Sequence, residues 1–267
     1  MNEVTERLEL AVRLAIEAGQ HSLSYFKSGD LGIEFKEDKS PVTKADRESE
    51  DVLRKCIVAN CPDDTIIGEE YQDKMGTSGF RWYLDPIDGT EAFIRGIPLF
   101  GTMIGIEQDN EPIVGVIFFP ALQEIIFAAK NHGAKFGINI KDTSDLANIY
   151  EAKVSQVPIL SEATLASTDI CDFQVINKLP NFLKVIENTK QYRGWSDCYG
   201  HYLVATGRID AMIDPIMSVW DTAPLLPIIE EAGGIYSDIH GKVSIHSDSA
   251  LSSNGLIHQA LLNSLKS

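Results

Sequence analysis

The strongest candidates for a chemical role are two aspartates three positions apart, Asp85 and Asp88. They stand in the segment 85–90, DPIDGT, where the proline fixes the turn and the glycine allows a close approach of the backbone. Two carboxylates in one turn repel each other unless cations lie between them, and oxygen ligands without a nearby histidine or cysteine favour a hard ion such as Mg²⁺. The segment therefore predicts a magnesium site, although an Asp-rich surface turn can have the same composition.

A candidate phosphate-binding turn follows directly. Gly89 and Thr90 lead into residues 91–94, which are predicted to form a helical turn. The free backbone N–H groups at the start of such a turn bind anions. Metal ligands and a phosphate-binding turn would then be contiguous, which favours a site that handles a phosphate ester.

Further carboxylates stand at the ends of other predicted elements. Glu69 follows the short apolar run 65–67, and Asp221 follows Trp220 at the start of a predicted helix that closes near the segment EAGG at 231–234. Taken singly, a solvated loop acid at Glu69 and a helix N-cap at Asp221 are the more common roles. They become functional candidates only if the fold brings them to the DPIDGT turn.

The charge of the chain sets a condition on any phosphate-binding site. With 39 acidic and 23 basic residues, the formal net charge is -16. This charge should repel nucleic acids and anionic membranes, so neither is expected as a partner. It also opposes the capture of a phosphate ester, so the site must supply positive charge of its own, most simply as bound cations.

The cysteines and the N-terminal residues indicate a reduced, cytoplasmic protein. The chain has four cysteines: Cys56, Cys61, Cys171 and Cys198. No CxxC pair or partnered histidine spacing is present, so all four are predicted to be reduced thiols in the core. The first residues lack the basic and apolar stretches of a secretory signal, and no apolar run approaches membrane-spanning length.

The elements that must position these residues begin with two helices. Apolar residues at helical spacing predict a long amphipathic helix that closes near Gly29 and a second helix from about Thr43 to just before Cys61. Two short strands, 65–67 and 81–84, follow and end in carboxylates.

The rest of the chain divides into two patterns. From 100 to 140, β-rich runs joined by short turns suit antiparallel neighbours. After about 145, strands alternate with helices, which predicts a layered α/β half. We therefore predict an N-terminal α+β half with an antiparallel sheet, 1–145, carrying most metal ligands. A C-terminal α/β half, 146–267, would carry Asp221, pack tightly against the first and enclose the active site between them.

Together these segments resemble the inositol monophosphatase family. Its signatures look like G-E-E, D-P-I-D-G-T followed by an aromatic residue, and W-D followed by E-A-G-G, and they occur in this order at 68–70, 85–90, 220–221 and 231–234. Residues 42–46, VTKAD, are similar to the family's V-T-x-x-D element. The resemblance spans nearly the whole chain, and it implies an αβαβα layered sandwich, a homodimer and inhibition by lithium.

The resemblance also implies a role for individual residues. Two or three Mg²⁺ ions would be held by the backbone carbonyl of Ile87 and by four carboxylates. The carboxylates are those of Glu69, Asp85, Asp88 and Asp221. The catalytic residues would be Asp46, Glu69 and Thr90, of which Asp46 and Thr90 orient the attacking water. The phosphate would be bound by Asp88, Gly89 and Thr90. The ions would neutralise the ester, lower the pKa of a bound water and stabilise the leaving alkoxide.

Within the family, the chain most resembles the histidinol-phosphatase branch, through the segments 92–101 and 197–199. Asp197 and Asp214 stand where inositol phosphatases have a small uncharged residue and a glutamate. A carboxylate facing the non-phosphate end of the substrate suits an ammonium group, as in histidinol, better than a neutral polyol. Such an ion pair contributes at most about 4 kcal/mol before desolvation.

The expected substrate is therefore a small phosphate ester, histidinol phosphate, with inositol 1-phosphate or another sugar or polyol phosphate as the alternative. In the simpler interpretation of the two acids, Asp197 caps the helix 198–206 and Asp214 is a turn residue before Pro215.

Two other classes of protein remain open. Phosphatases with an aspartyl nucleophile have the pattern D-x-D-x-T, from which the spacing here differs. An acidic module that binds cations or phospholigands without catalysis would suit the charge, but the calcium-loop pattern is missing. His201 and His240 have no partner spacing and are predicted to be structural or at the surface. Lys36 is a candidate contact of the metal site, and Arg95 a candidate contact of the substrate or of a neighbouring subunit, but neither is included among the site residues.

Overall fold

A computed structural model describes residues 3–29, 31–36 and 40–266 of the chain. The helices in these residues are α1 (Glu3–Tyr25), α2 (Lys44–Asn60), α3 (Thr90–Ile94), α4 (Ile170–Val175), α5 (Leu179–Glu187), α6 (Asp197–Ala205), α7 (Val219–Glu231) and α8 (His258–Lys266). The strands are β1 (Glu34–Phe35), β2 (Pro41–Val42), β3 (Thr65–Gly68), β4 (Phe80–Asp88), β5 (Gly101–Gln108), β6 (Glu111–Phe119), β7 (Glu124–Ala129), β8 (Ala134–Ile138), β9 (Ile149–Glu151), β10 (Thr164–Ala166), β11 (Gln191–Arg193), β12 (Ala211–Asp214), β13 (Ile235–Ser237) and β14 (Ala250–Ser253).

The strands form two large sheets. Seven strands, β3 to β9, lie in sequence order, and all their pairings are antiparallel except that of β3 with β4. The antiparallel pairing predicted from the short turns is thus confirmed. The five-stranded sheet has the order β11-β10-β12-β14-β13, in which β10 runs parallel to β11 and β12. Strands β1 and β2 form a separate antiparallel pair.

The two faces of the seven-stranded sheet bury different apolar clusters, because side chains alternate along a strand. On one face, Trp82 and Leu84 pack in a cluster with Leu14 of α1 and Leu53 of α2. On the other face, Tyr83 packs in the cluster that contains residues of α6 and α7. The sheet is therefore covered by helices on both sides.

The five-stranded sheet shares that second helical layer. Met212 of β12 packs in the same cluster as α6 and α7, whereas its neighbour Ile213 packs with Phe182 of α5 and Leu261 of α8. The order of layers is α1 and α2, seven-stranded sheet, α6 and α7, five-stranded sheet, α5 and α8. This is the αβαβα sandwich that the resemblance implied.

A pair of glycines brings α7 close to the seven-stranded sheet. Gly105 of β5 and Gly115 of β6 are paired in register. A Cβ at Gly105 would lie 2.7 Å from the Cβ of Ala223, and one at Gly115 would lie 2.0 Å from the carbonyl oxygen of Pro224. Because neither side chain is present, the backbone of α7 rests on the sheet, and this contact determines where Asp221 lies.

The structure differs from the predicted elements at a few points. Helix α1 ends at Tyr25 and not near Gly29, and Lys27 then adopts a left-handed conformation (φ +60°), which commonly ends a helix. All four cysteines are free: Cys198 is buried as predicted, Cys56 and Cys61 are half-buried against a core cluster, and the prediction of a core thiol is wrong for Cys171, which is exposed. The division at residues 145 and 146 stays a prediction. None of the helices described combines the length and apolar character needed to cross a membrane.

Candidate active site

A β-bulge in β4 places the two aspartates of the DPIDGT segment on the same side of the strand. Asp85 pairs with Met103 and Asp88 pairs with Gly101, so the residues from 85 to 88 oppose one residue fewer on β5. In a regular strand, side chains three positions apart point to opposite faces, and the extra residue of a bulge reverses this. The hydroxyl of Thr102 donates to the carbonyl oxygen of Pro86 at 2.9 Å and holds the bulge in place.

Helix α7 brings a third carboxylate to the same point. Asp85, Asp88 and Asp221 each offer one carboxylate oxygen, and these oxygens lie within 4.8 Å of one another. The N-cap interpretation of Asp221 is wrong, because Ser218 is the N-cap and Asp221 stands one turn inside the helix. Its Oδ2 accepts a hydrogen bond of 2.8 Å from the backbone N–H of Ser218, which orients the carboxylate locally.

The three carboxyl groups strongly oppose one another's ionisation. Burial, followed by the charges of Glu69, Asp88 and Asp221, raises the pKa of Asp85 well above its ordinary value. Burial and the charge of Asp221 raise the pKa of Asp88 to about 7, and burial raises that of Asp221 to about 7. A half-buried set of oxygen ligands whose charges are uncompensated fits a hard cation.

Glu69 lies beside this cluster and is paired with a lysine. Its Oε1 accepts from Lys36 Nζ at 2.6 Å, and the same Nζ donates to Glu70 Oε1 at 2.7 Å. The backbone N–H of Glu69 donates to the carbonyl oxygen of Leu84, the residue before Asp85, at 3.1 Å. Glu69 is not among the three carboxylates within 4.8 Å, but its charge contributes, after burial, to the raised pKa of Asp85. Lys36, a candidate contact of the metal site that was left out of the predicted site residues, therefore contacts a predicted metal ligand.

Asp46 and Thr90 are both fixed by local hydrogen bonds. Asp46 Oδ2 accepts from the backbone N–H and the hydroxyl of Thr43, at 2.7 and 2.5 Å, in a capping box at the start of α2. Burial raises the pKa of Asp46 to about 6, although the bonds from Thr43 oppose this shift. The Thr90 hydroxyl donates to the carbonyl oxygen of Ile87 at 3.0 Å. Their joint role in orienting a water stays a prediction.

Gly89 occupies a position at which any other residue would be strained. It has a φ of +82° and precedes the helical turn α3, which confirms the turn predicted there. A Cβ at this position would lie 2.9 Å from the carbonyl oxygen of Leu99 and 3.2 Å from Asp197 Oδ2. The Asp197 carboxylate is therefore directly beside the predicted phosphate-binding turn.

Asp197 does not cap a helix. Ser196 is the N-cap of α6, and Asp197 follows it with a φ of +55°, an uncommon conformation for a residue other than glycine. Its backbone N–H donates to the hydroxyl of Thr168 at 2.8 Å. Burial and the charge of Asp88 raise the pKa of Asp197 to about 8. The cap interpretation is thus wrong, and the carboxylate faces the acidic site.

Asp214 is held by the protein itself. It ends β12, is buried, and accepts from the Thr168 N–H at 2.8 Å through Oδ1, while its Oδ2 lies 3.2 Å from His201 Nε2. The other ring nitrogen of His201 contacts Ser252 Oγ at 2.7 Å. The turn interpretation of Asp214 is wrong, and His201 has the partners that the sequence spacing did not indicate.

A cavity of about 110 Å³ is lined by Asp88 and Asp221 of the ion cluster, but not by Asp85 or Glu69. Among its lining residues are three carboxylates beyond the ion cluster: Asp172, Asp197 and Asp214. Asp172 was not predicted, because an acid on the short helix α4 looks in sequence like any exposed helical acid. Burial and the charges of Asp169 and Asp214 raise its pKa. A larger groove of about 870 Å³, along α1 and the end of α2, shares no lining residue with this cavity.

Comparisons with known proteins place this geometry in context. The family model described as "Inositol monophosphatase family" matches residues 3–267. The histidinol-phosphatase of Chlorobaculum parvum is 39% identical over 245 residues, covering 91% of this chain and 89% of that protein. The histidinol-phosphatase of Streptomyces coelicolor is 34% identical and covers 99% of this chain and 98% of that protein. The structure of an inositol monophosphatase from Zymomonas mobilis matches with a TM-score of 0.83 and 30% identity, covering 100% of both chains.

Proposed function

The chain belongs to the inositol monophosphatase family and is a phosphoric monoester hydrolase, and on that premise we propose that it hydrolyses histidinol phosphate with Mg²⁺ as its metal. The observation that carries the proposal is the convergence of Asp85, Asp88 and Asp221 within 4.8 Å. Family membership argues against both the aspartyl-nucleophile class and a module without catalysis.

Two or three Mg²⁺ ions would be held by the ligands that the family pattern implies: Glu69, Asp85, Asp88, Asp221 and the carbonyl of Ile87. Two ligands of one Mg²⁺ lie up to about 4.2 Å apart, since Mg²⁺–O distances are about 2.1 Å, so small side-chain rotations would complete the site. The bound ions would supply an activated water and neutralise charge on the phosphate. The Gly89 and Thr90 N–H groups would bind the phosphate, and Asp46 and Thr90 would orient the water.

The proposed substrate follows from the charge of the cavity. Histidinol phosphate carries an ammonium group near its phosphate and an imidazole further away. Asp197 lies beside Gly89, where an ammonium group close to the phosphate would be placed. Asp172 lines the same cavity and could meet the imidazole. A neutral polyol such as inositol would leave these carboxylates without a counter-charge, which is unfavourable in a buried site.

Phosphate release should be measured side by side on histidinol phosphate, inositol 1-phosphate and glycerol 2-phosphate, with Mg²⁺ and with a chelator. We expect kcat/KM to be at least about tenfold higher on histidinol phosphate, and activity to disappear without the metal. A preference of the same size for inositol 1-phosphate would overturn the substrate proposal. Tight binding of Mg²⁺ and phosphate esters without turnover would instead support a module without catalysis.

Mg²⁺ is expected to raise the melting temperature, Tm, more at pH 8 than at pH 5. The folded-state pKa of Asp88 and Asp221 is about 7, above the ordinary 3.8, so these groups stabilise the metal-free fold at low pH and lose that contribution as pH rises towards about 7. Above that range, Mg²⁺ would replace the missing protons, whereas at pH 5 it must displace them.

The measurement is thermal unfolding at both pH values with MgCl₂, and with NaCl at the same ionic strength as the control. A Tm increase that is equal at pH 5 and pH 8 would contradict the assignment of these carboxylates as metal ligands.

The homodimer, the cytoplasmic location and inhibition by lithium stay predictions that rest on family resemblance and composition. Sedimentation of the purified protein and activity assays with LiCl would test the first and the last of these.

A further inference from the structure

A buried carboxylate on α2 lies outside the set of groups assigned to the reaction. Glu50 is 0% exposed, and both of its oxygens are occupied: Oε1 accepts from Arg54 Nε at 2.6 Å, and Oε2 accepts from the backbone N–H of Glu70 at 2.8 Å. Removing a carboxylate from water costs several kcal/mol unless it is paired and hydrogen-bonded. Glu50 meets this condition only through one arginine and the loop that follows β3.

Arg54 binds the same loop with the rest of its guanidinium group. Its Nη2 donates to the carbonyl oxygen of Tyr71 at 3.1 Å, and its Nη1 donates to that of Gln72 at 3.0 Å. Glu50 and Arg54, which we call the clasp, therefore bind backbone groups of three consecutive residues, 70–72. These residues are irregular and lie outside the β3–β4 ladder, which ends at Glu69, whose N–H donates to the carbonyl oxygen of Leu84 at 3.1 Å.

The clasp also packs against the residue before Glu69. A Cβ at Gly68 would lie 2.2 Å from Glu50 Oε1 and 2.9 Å from Arg54 Nη2. Any side chain at this position would displace the Glu50 carboxylate. The clasp thus contacts the chain on both sides of Glu69.

We propose that the Glu50–Arg54 clasp is a positioning device for the metal site, which holds residues 68–72 so that Glu69 presents its carboxylate to Asp85, Asp88 and Asp221. This inference rests on the proposed role of Glu69 as a metal ligand. A ligand on an unrestrained loop must lose conformational freedom when the metal binds, and a loop ordered in advance reduces that cost. Groups that orient metal ligands typically change metal affinity by about 10- to 100-fold.

The chain offers a matched control on the same helix. Asp51 and Lys55 form an ion pair with the same spacing as Glu50 and Arg54, but their side chains are 47% and 73% exposed and make no contact of this kind with the loop. Arg54→Met should raise the dissociation constant of Mg²⁺, measured by calorimetry without substrate, by about 10- to 100-fold. Lys55→Met should leave it unchanged. At saturating Mg²⁺, kcat of Arg54→Met should approach that of the unmodified protein.

Hydrogen exchange in the metal-free protein provides a readout that a merely stabilising role would not move. The backbone N–H of Glu70 is bonded to Glu50, so Arg54→Met should accelerate exchange in residues 70–72, while strand β5 stays protected. Arg54→Lys keeps the charge but cannot make all three bonds, and should give an intermediate Mg²⁺ affinity. If Arg54→Met does not fold, Arg54→Lys and Gly68→Ala carry the test.

Unchanged Mg²⁺ affinity in the folded variants would overturn the clasp as a positioning device. If the unmodified protein bound no Mg²⁺ and released no phosphate, the proposed function itself would fail. The two failures are therefore distinguishable.

Discussion

Asp88→Asn is expected to lower kcat at saturating Mg²⁺ by at least about a hundredfold. Asp88 is one of three carboxylates within 4.8 Å, and the neutral amide would remove one anionic ligand from the site. Asparagine can still accept the hydrogen bond that Asp88 Oδ2 receives from the Cys198 N–H at 2.6 Å, so the packing of α6 should persist. Loss of turnover should therefore occur in a folded protein.

The assay measures phosphate release at saturating substrate, and thermal unfolding establishes that the variant is folded. In the metal-free state we expect its stability to be maintained, because the substitution removes one of the charges that raise the pKa of Asp85. Asp109→Asn is the matched control, since it makes the same chemical change in an exposed turn. Asp221→Asn and Glu69→Gln should behave like Asp88→Asn. If kcat of Asp88→Asn equalled that of the unmodified protein, Asp88 would be excluded as a metal ligand.

Asp197→Asn is expected to lower kcat/KM for histidinol phosphate by about 10- to 100-fold, with a much smaller effect on inositol 1-phosphate. The expected size corresponds to a hydrogen bond to a charged group, about 1.5 to 3 kcal/mol. Asp197 Oδ2 lies next to Gly89, so it can contact only the part of the substrate nearest the phosphate. Burial and the charge of Asp88 raise the pKa of Asp197, and a positively charged group there would compensate both.

The test compares one ratio between the unmodified protein and each variant: kcat/KM for histidinol phosphate divided by kcat/KM for inositol 1-phosphate. Asp172→Asn should shift the ratio in the same direction, because Asp172 lines the cavity. Asp142→Asn is the control outside the cavity: Asp142 is exposed and accepts from the Ser144 N–H at 2.8 Å, a cap that asparagine also provides. Equal losses on both esters in Asp197→Asn would show that the residue supports the site generally and does not select the substrate.

The local parts of this site could be predicted from short stretches of sequence. The DPIDGT segment combines two carboxylates with a glycine. In the structure this glycine has a left-handed φ of +82°, a conformation that other residues adopt only with strain. Helical periodicity located α1 and α2, and the short turns indicated the antiparallel strands. Each of these properties depends on residues within one or two turns of chain, so neighbouring side chains and backbone preferences are sufficient to predict it.

Local patterns failed where a residue's role depends on distant neighbours. Asp221 and Asp197 resembled helix caps, but Ser218 and Ser196 occupy those positions. The clasp of Glu50 and Arg54 had no signal in sequence, because an acid and an arginine four positions apart also occur on exposed helices.

The approach of the acids of β4 to the acid of α7 depends on how the elements pack, and no local pattern predicts it. The distance between the carboxylates of β4 and that of α7 depends on the glycine pair at 105 and 115, on which α7 rests. It also depends on the bulge between Asp85 and Asp88. The distance between two elements is set by the packing of all the side chains between them, which no short stretch of sequence contains.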